Sequence, residues 1–270
     1  MMKMMANHTE LNVIDSGEGE TALIFLHFWG GSSQTWNQVV AQLGDEYRCI
    51  RIDARGAGLS AAPVSGYSTH DHAKDTLAVI KALNLSRYII IGHSMGGKAA
   101  QLIASTNPTG LQGVVLVASS PLVPMNIGDE QREMMRQAYA SREAVNWTVE
   151  NVLTADNITE EALEQLVQDT TQMNPRAVNG WLDVGSKEDL HHVAASITAP
   201  VLIMAGELDK VDPVEVVKQH IAPAFPAAPV HILSGKGHLL PLEAPQQVAG
   251  LIKEFIQTRA ILDSGKCINW

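Results

Sequence analysis

The run Tyr88-Ile89-Ile90-Ile91-Gly92-His93-Ser94-Met95-Gly96-Gly97 places a serine where an apolar run gives way to a helical pattern. Gly-x-Ser-x-Gly in that context forces a sharp strand-to-helix turn, with Gly92 and Gly96 making room and the Ser94 hydroxyl projecting from the sheet. The helix behind it aims free N–H groups and the positive end of its dipole at the same point. The chemistry implied is nucleophilic attack by serine. It needs a base to take the hydroxyl proton, an acid to orient the base, and donors for the developing oxyanion.

Each role has a candidate, in the chain order Ser, Asp, His. The base is His238, in Ser234-Gly235-Lys236-Gly237-His238, directly after the apolar run Pro229 to Leu233. The acid is Asp209, in Gly206-Glu207-Leu208-Asp209, just past the run Pro200 to Ala205; it would hold His238 in the useful tautomer. Glu207 and Asp212 are its neighbours, and Asp212 stands before Pro213, which suits a turn or helix start. Ser119 and Ser120 end the preceding run and offer no acid. The oxyanion donors are the backbone N–H groups of Met95, after the nucleophile, and of Trp29, in His27-Phe28-Trp29-Gly30-Gly31. His93 is expected to pack away from the site, and His27 to support it from behind. His191-His192 carries no acidic or cysteine cluster beside it, so no metal is expected.

The elements that must position these groups follow from the apolar runs. Thr21 to Phe28, Arg48 to Asp53, Arg87 to Ile91, Gly113 to Ala118, Pro200 to Ala205 and Pro229 to Leu233 read as strands of a parallel sheet buried on both faces. Helical patterns alternate with them at His70 to Leu83, Gly97 to Thr106, Val214 to Ala222 and Pro245 to Arg259. The alternation predicts an α/β fold with a mostly parallel central sheet flanked by helices. Asn12 to Ile14 reads as an added edge strand.

From Pro121 to about His192 no buried strand appears, and Gln131 to Tyr139, Ser141 to Leu153 and Glu160 to Gln172 read as helices. The predicted organisation is therefore a core of residues 1–120 and 193–270 with a helical lid over 121–192. Trp147, Trp181 and several methionines of the lid, with Phe28, are expected to wall a substrate pocket. The lid acids Glu143, Glu150, Asp156 and Glu160 read as a solvated face.

The chain has 270 residues, 46% hydrophobic and 18% charged, with a net charge of −10. That balance argues against a nucleic-acid partner. Met1 to Glu10 lacks the apolar core of a signal peptide, and no segment approaches the roughly 20 apolar residues of a membrane helix. Two cysteines, Cys49 and Cys267, make no disulfide framework, so a reduced cytoplasmic setting is expected and the Asn-x-Ser/Thr sites at Asn7, Asn84, Asn146 and Asn157 are expected to stay unmodified.

Taken together, His27-Phe28-Trp29-Gly30-Gly31-Ser32, Asp53-Ala54-Arg55-Gly56-Ala57-Gly58-Leu59-Ser60, Gly92-His93-Ser94-Met95-Gly96-Gly97, Gly206-Glu207-Leu208-Asp209 and Gly237-His238 resemble the α/β-hydrolase superfamily. The likeness is to its small, cofactor-free esterase, lactonase and perhydrolase-like members, and it covers nearly the whole chain. It implies an α/β-hydrolase fold with Ser94, Asp209 and His238 as nucleophile, acid and base, and Asp53 and Arg55 as a structural turn. The reaction implied is hydrolysis of a small to medium, largely neutral carboxylic ester or lactone. Carbon–carbon bond hydrolysis, acyl transfer and peracid formation are alternatives on the same residues, and a small-ligand receptor without turnover is an alternative of another class. Relatives usually read His-Gly where this chain has His27-Phe28, and the tail Ile261 to Trp270 continues past the usual final helix. Neither the oligomeric state nor the physiological substrate follows from the sequence.

Overall fold

The computed structural model describes residues 1–263, with side chains described through residue 258. One sheet of eight strands runs through the molecule in the order β1-β2-β4-β3-β5-β6-β7-β8. These are β1 (Met2–Ala6), β2 (Thr9–Ser16), β3 (Ala22–Leu26), β4 (Arg48–Ile52), β5 (Tyr88–His93), β6 (Leu111–Val117), β7 (Val201–Gly206) and β8 (Val230–Leu233). β1 pairs antiparallel with β2, and β2 with β4. From β4 to β8 every pairing is parallel.

Because side chains alternate along a strand, each central strand feeds two cores. Ile24, Ile90, Leu116 and Ile203 face α2 (Thr69–Ala82) and α3 (Met95–Ser105), while Phe25, Ile91, Val115 and Leu202 face the other side. That second face is covered by α1 (Asn37–Leu43) and by α10 (Pro245–Asp263), which follows the short α9 (Leu240–Glu243). Both faces being covered explains why these strands read as unbroken apolar runs.

The edges depart from expectation. β1 was not anticipated: it hangs on β2 alone, so no buried run marks it. At the other edge β8 is not buried on both faces, as its run suggested; Val230 and Ile232 are each 40% exposed, and among the described residues β7 is its only strand neighbour. The helix expected over Val214 to Ala222 is instead a short α8 (Val214–Val216) that widens into a π turn (Val217–Ile221) and closes as a 3-10 turn (Ala222–Ala224). Residues 264–270, with Cys267 and most of the tail singled out from sequence, lie outside the described residues.

Between β6 and β7 lie α4 (Asp129–Gln137), α5 (Arg142–Thr148) with a π turn (Val149–Leu153), α6 (Glu160–Gln172) and α7 (Pro175–Asp183). Sequence patterning missed α7, although Asn174 caps it through Arg176 N–H and Pro175 stands in its first turn. These helices build a third apolar cluster with Phe28 and Trp29, on the loop after β3, and Met95 at the start of α3. The insertion therefore packs on itself and on those two segments at once. Lys98 of α3, fully buried, ties its far end down by donating to the carbonyls of Gly185 (3.1 Å) and Glu188 (2.8 Å).

The turn from β5 into α3 leaves no room for a side chain at residue 96. A Cβ on Gly96 would stand 2.5 Å from the carbonyl oxygen of Leu26 and 2.8 Å from that of His27. Backbone cannot yield as a flexible side chain can, so Gly96→Ala is expected to cost on the order of 3 kcal/mol in a urea melt. Gly250→Ala, on α10 with nothing within 4 Å of the new Cβ, is expected to gain roughly 0.5–1 kcal/mol. Equal effects from the two substitutions would contradict this reading of the elbow.

Candidate active site

Ser94 occupies the turn with φ 51° and ψ −115°, a conformation uncommon for a residue with a side chain. Its N–H donates to Val117 O (3.2 Å), and the N–H groups of Gly97 and Lys98 return to its own carbonyl (2.8 and 3.1 Å). With the backbone pinned on both sides, the hydroxyl emerges at the carboxyl edge of the sheet.

His238 follows β8 on a loop whose N–H at that residue donates to Leu153 O (2.8 Å). Its Nδ1 lies 2.9 Å from Asp209 Oδ2, so the Nδ1 proton is held there and Nε2 is the free base. Asp209 Oδ1 accepts from the N–H groups of Val211 (2.8 Å) and Asp212 (3.0 Å), which fix the carboxylate. Burial alone would lower the His238 pKa, but the charge and hydrogen bond of Asp209, aided by Asp212 and Glu243, outweigh it and the net shift is upward. Asp209 thus partners the histidine, and its two neighbours do other work. Glu207 accepts from Ser234 Oγ (2.7 Å) and Gly235 N–H (2.8 Å), shaping the turn that leads to His238. Asp212 accepts from Ser120 Oγ (3.1 Å), and burial pushes its carboxyl up to about 7.

One anchor escaped sequence reasoning. Glu243, an acid inside the apolar stretch Leu239 to Ala244, accepts from the N–H groups of Gly237 (2.9 Å) and Leu239 (3.0 Å), on either side of His238. It also accepts from Ala155 and Asp156 of the insertion (2.9 and 3.1 Å). A lone carboxylate in an apolar run was the available signal, since burial demands that it find donors.

The backbone at the two candidate oxyanion donors is equally fixed. Met95 opens α3, so its N–H has no acceptor within the helix. Among the described residues no backbone acceptor takes the N–H of Trp29. A trans peptide points its C=O and N–H oppositely, so whatever grips the Phe28 carbonyl aims the Trp29 N–H. His27 Nδ1 donates to that carbonyl (2.7 Å) while its Nε2 accepts from Ala54 N–H (3.0 Å), which fixes a neutral ring; burial lowers its pKa in the same sense. Gly31 N–H adds a second bond to Phe28 O (3.1 Å). From the insertion, Tyr139 donates to Trp29 O (3.0 Å), Thr170 to Gly30 O (2.8 Å), and Asp169 accepts from Ser32 Oγ (2.6 Å). On the β4 side, Asp53 accepts from Ser33 N–H (2.6 Å) and Leu59 N–H (2.9 Å), and Arg55 pairs with buried Asp75 (2.7 Å), so both serve structure as expected.

Ser94, His238, Phe28, Trp29 and Trp181 border one cavity of about 80 Å³, closed by Met125, Met135, Tyr139 and Leu153 among others. Phe28 packs against the His93 ring at 5.0 Å and forms part of the wall. His93 is fully buried and donates from Nε2 to His238 O (2.8 Å). The expectation for Trp147 is corrected: it is 61% exposed, because its position on α5 faces outward, and it does not border the cavity. His191 pairs with Asp189 (2.6 Å), and among the described residues no three His, Cys, Asp or Glu side chains gather as a metal set. No helix among them is long and apolar enough to cross a membrane.

The family model described as the alpha/beta hydrolase fold matches residues 21–245. The chain belongs to the α/β-hydrolase family. Among curated relatives of this α/β hydrolase, it is 26% identical over 256 residues to 2-(acetamidomethylene)succinate hydrolase of Mesorhizobium japonicum, covering 91% of each chain. It is 29% identical over 207 residues to the pimeloyl-(acyl-carrier protein) methyl ester esterase of Pectobacterium carotovorum subsp. carotovorum, covering 73% of this chain and 79% of that one. An esterase from Exiguobacterium antarcticum shares the fold with a TM-score of 0.87 at 21% identity, over 95% of this chain and 99% of that one.

Asp209 is the carboxylate that meets His238 Nδ1, and kinetics can check whether it serves as the acid. Asp209→Asn is expected to lower kcat by about four orders of magnitude through loss of the productive tautomer. Asp212→Asn and Glu207→Gln are each expected to cost roughly tenfold or less, the worth of one hydrogen bond. In the unsubstituted enzyme kcat/KM should fall with decreasing pH as His238 protonates, through a pKa above 6.5. A crippled Asp212→Asn enzyme beside an active Asp209→Asn enzyme would reverse the assignment.

Proposed function

We propose that this α/β hydrolase is a serine hydrolase that cleaves a carboxylic ester or lactone of a small, largely neutral acyl group. The observation that carries the reading is the pairing of His238 Nδ1 with Asp209 at 2.9 Å, with His238 and a strained Ser94 bordering one cavity together with Trp29. Ser94 Oγ attacks the acyl carbon as His238 Nε2 takes its proton. The carbonyl oxygen gains charge between the N–H groups of Trp29 and Met95, donors each worth on the order of 3 kcal/mol in the transition state. His238 then returns the proton to the departing alkoxide, and water repeats the cycle on the acyl-enzyme. Nucleophile, base and donors all come from the chain, so this chemistry calls on no cofactor.

The segment 121–192 acts in this reading as the lid, closing the pocket with Trp181, Met125 and Met135. The esterase named among the relatives supports ester cleavage, and the family supports hydrolysis in general. A cytoplasmic enzyme acting alone on a small molecule, with neither nucleic acid nor membrane as partner, fits the net charge of −10 and the paucity of cysteine.

The cavity sets the size of the acyl group. About 80 Å³ holds few heavy atoms, given about 30 Å³ for each water-sized group, and no lysine or arginine lines it to grip a charge. With p-nitrophenyl esters, kcat/KM should be highest for acetyl or propionyl, one added methylene being worth roughly 0.8 kcal/mol where it fits, and fall beyond as overpacking begins. Trp181→Ala should move the optimum to longer chains. Trp147→Ala should leave it in place. Simple lactones belong in the same panel; no turnover of either class, or a profile flat in chain length, would contradict the proposal.

A further inference from the structure

Ser94 touches one hydroxyl that the mechanism above does not use. Ser120 Oγ lies 3.4 Å from Ser94 Oγ and is, among the described residues, the nucleophile's only side-chain hydrogen-bond partner. It approaches from the side opposite Trp29: β5 lies between β3, which leads to Trp29, and β6, which leads to Ser120. Its position is rigid. The Ser120 N–H donates to Ser94 O (3.1 Å), and its carbonyl accepts from Gln101 Nε2 (3.1 Å) and Ser119 Oγ (3.0 Å).

A hydroxyl has one proton to give, and Ser120 gives its proton to Asp212 Oδ2 at 3.1 Å. Toward Ser94 it is therefore an acceptor, and the resting Ser94 O–H donates to it. Acylation removes that donor, because an ester oxygen carries no hydrogen. Ser120 is then left with an empty acceptor site beside the ester, at the moment when water must attack. Asp212 also borders a second cavity of about 310 Å³, walled off from the first by shared Met125, Met135, Val152 and Val211. At about 30 Å³ per molecule that cavity has room for several waters.

We propose that Ser120, held by Asp212, accepts the second hydrogen of the deacylating water and so orients it for attack on the Ser94 acyl-enzyme. The proposal rests on the serine-hydrolase reading and adds a catalytic residue, Ser120, and a positioning residue, Asp212. The water oxygen bonds to the acyl carbon while His238 Nε2 takes one of its protons. The tetrahedral intermediate expels Ser94 Oγ, which recovers that proton from His238, and the carboxylic acid leaves. No proton passes to Ser120 or Asp212.

An alcohol attacking in place of water has a single O–H, and that one goes to His238. Ser120 therefore favours water over alcohol, and this separates its role from a structural one. The enzyme is run with p-nitrophenyl acetate and added methanol, following the p-nitrophenol burst, acetate and methyl acetate, with mass spectrometry of the acetylated protein. In Ser120→Ala the burst rate should hold within about twofold while hydrolysis of the acyl-enzyme slows and the methyl acetate to acetate ratio rises about tenfold, the worth of one hydrogen bond. Asp212→Asn should move the ratio in the same direction by less, and it carries the same readout if Ser120→Ala does not fold. A ratio unmoved in the variants, with water and methanol slowed alike, would overturn the proposal. Wild-type turnover with no acetyl on Ser94 would overturn the serine-hydrolase reading itself, and the two failures are told apart by that mass measurement.

Discussion

Everything at the site depends on how closely β5 and α3 are allowed to approach at Ser94. Glycine at 92 and 96 lets the helix backbone lie directly against the strands, with the Leu26 and His27 carbonyls where a Cβ of residue 96 would be. The strand is fixed by parallel partners on both sides and by cores on both faces, so the turn between strand and helix has no freedom to relax. Ser94 is held at positive φ, at a cost of order 1–3 kcal/mol that the surrounding packing offsets. The same turn delivers the hydroxyl, the start of the helix dipole and the Met95 N–H to one point.

The other groups are brought to that point by buried hydrogen bonds rather than by packing alone. Glu243 grips the peptide N–H groups on both sides of His238 and also holds the insertion at Ala155 and Asp156. The loop after β3, which carries the proposed Trp29 donor, is gripped from the core by His27 and Asp53 and from the insertion by Tyr139, Asp169 and Thr170. Dipoles fixed in advance need no reorganisation when charge develops, which is where such sites gain most of their rate. The insertion thus shapes the pocket and also stiffens the machinery beneath it.

The central strands were legible because burial on both faces leaves only apolar residues possible, and the strand-end positions of Ser94, Asp209 and His238 because each follows a strand in a glycine-marked turn. What escaped the sequence depends on tertiary neighbours. β1 carries no buried run, since a strand at the sheet edge needs none, and the apolar Val230 and Ile232 gave no hint that β8 would be left half open. Trp147 and Trp181 look alike in sequence, yet one faces out and the other is buried over the site, a difference set by how α5 and α7 roll against the core. The split of work between Asp209 and Asp212, three residues apart, is fixed only by which carboxylate meets His238 and which meets Ser120.

The central claim is that Ser94 carries the acyl group. The most direct test is mass spectrometry of the protein after brief exposure to an active-site phosphonate or to a slow ester, with peptide mapping of the modified residue. The account predicts a single adduct on Ser94, lost when His238 is replaced by alanine. An adduct on another residue, or full turnover by a Ser94→Ala enzyme, would contradict it.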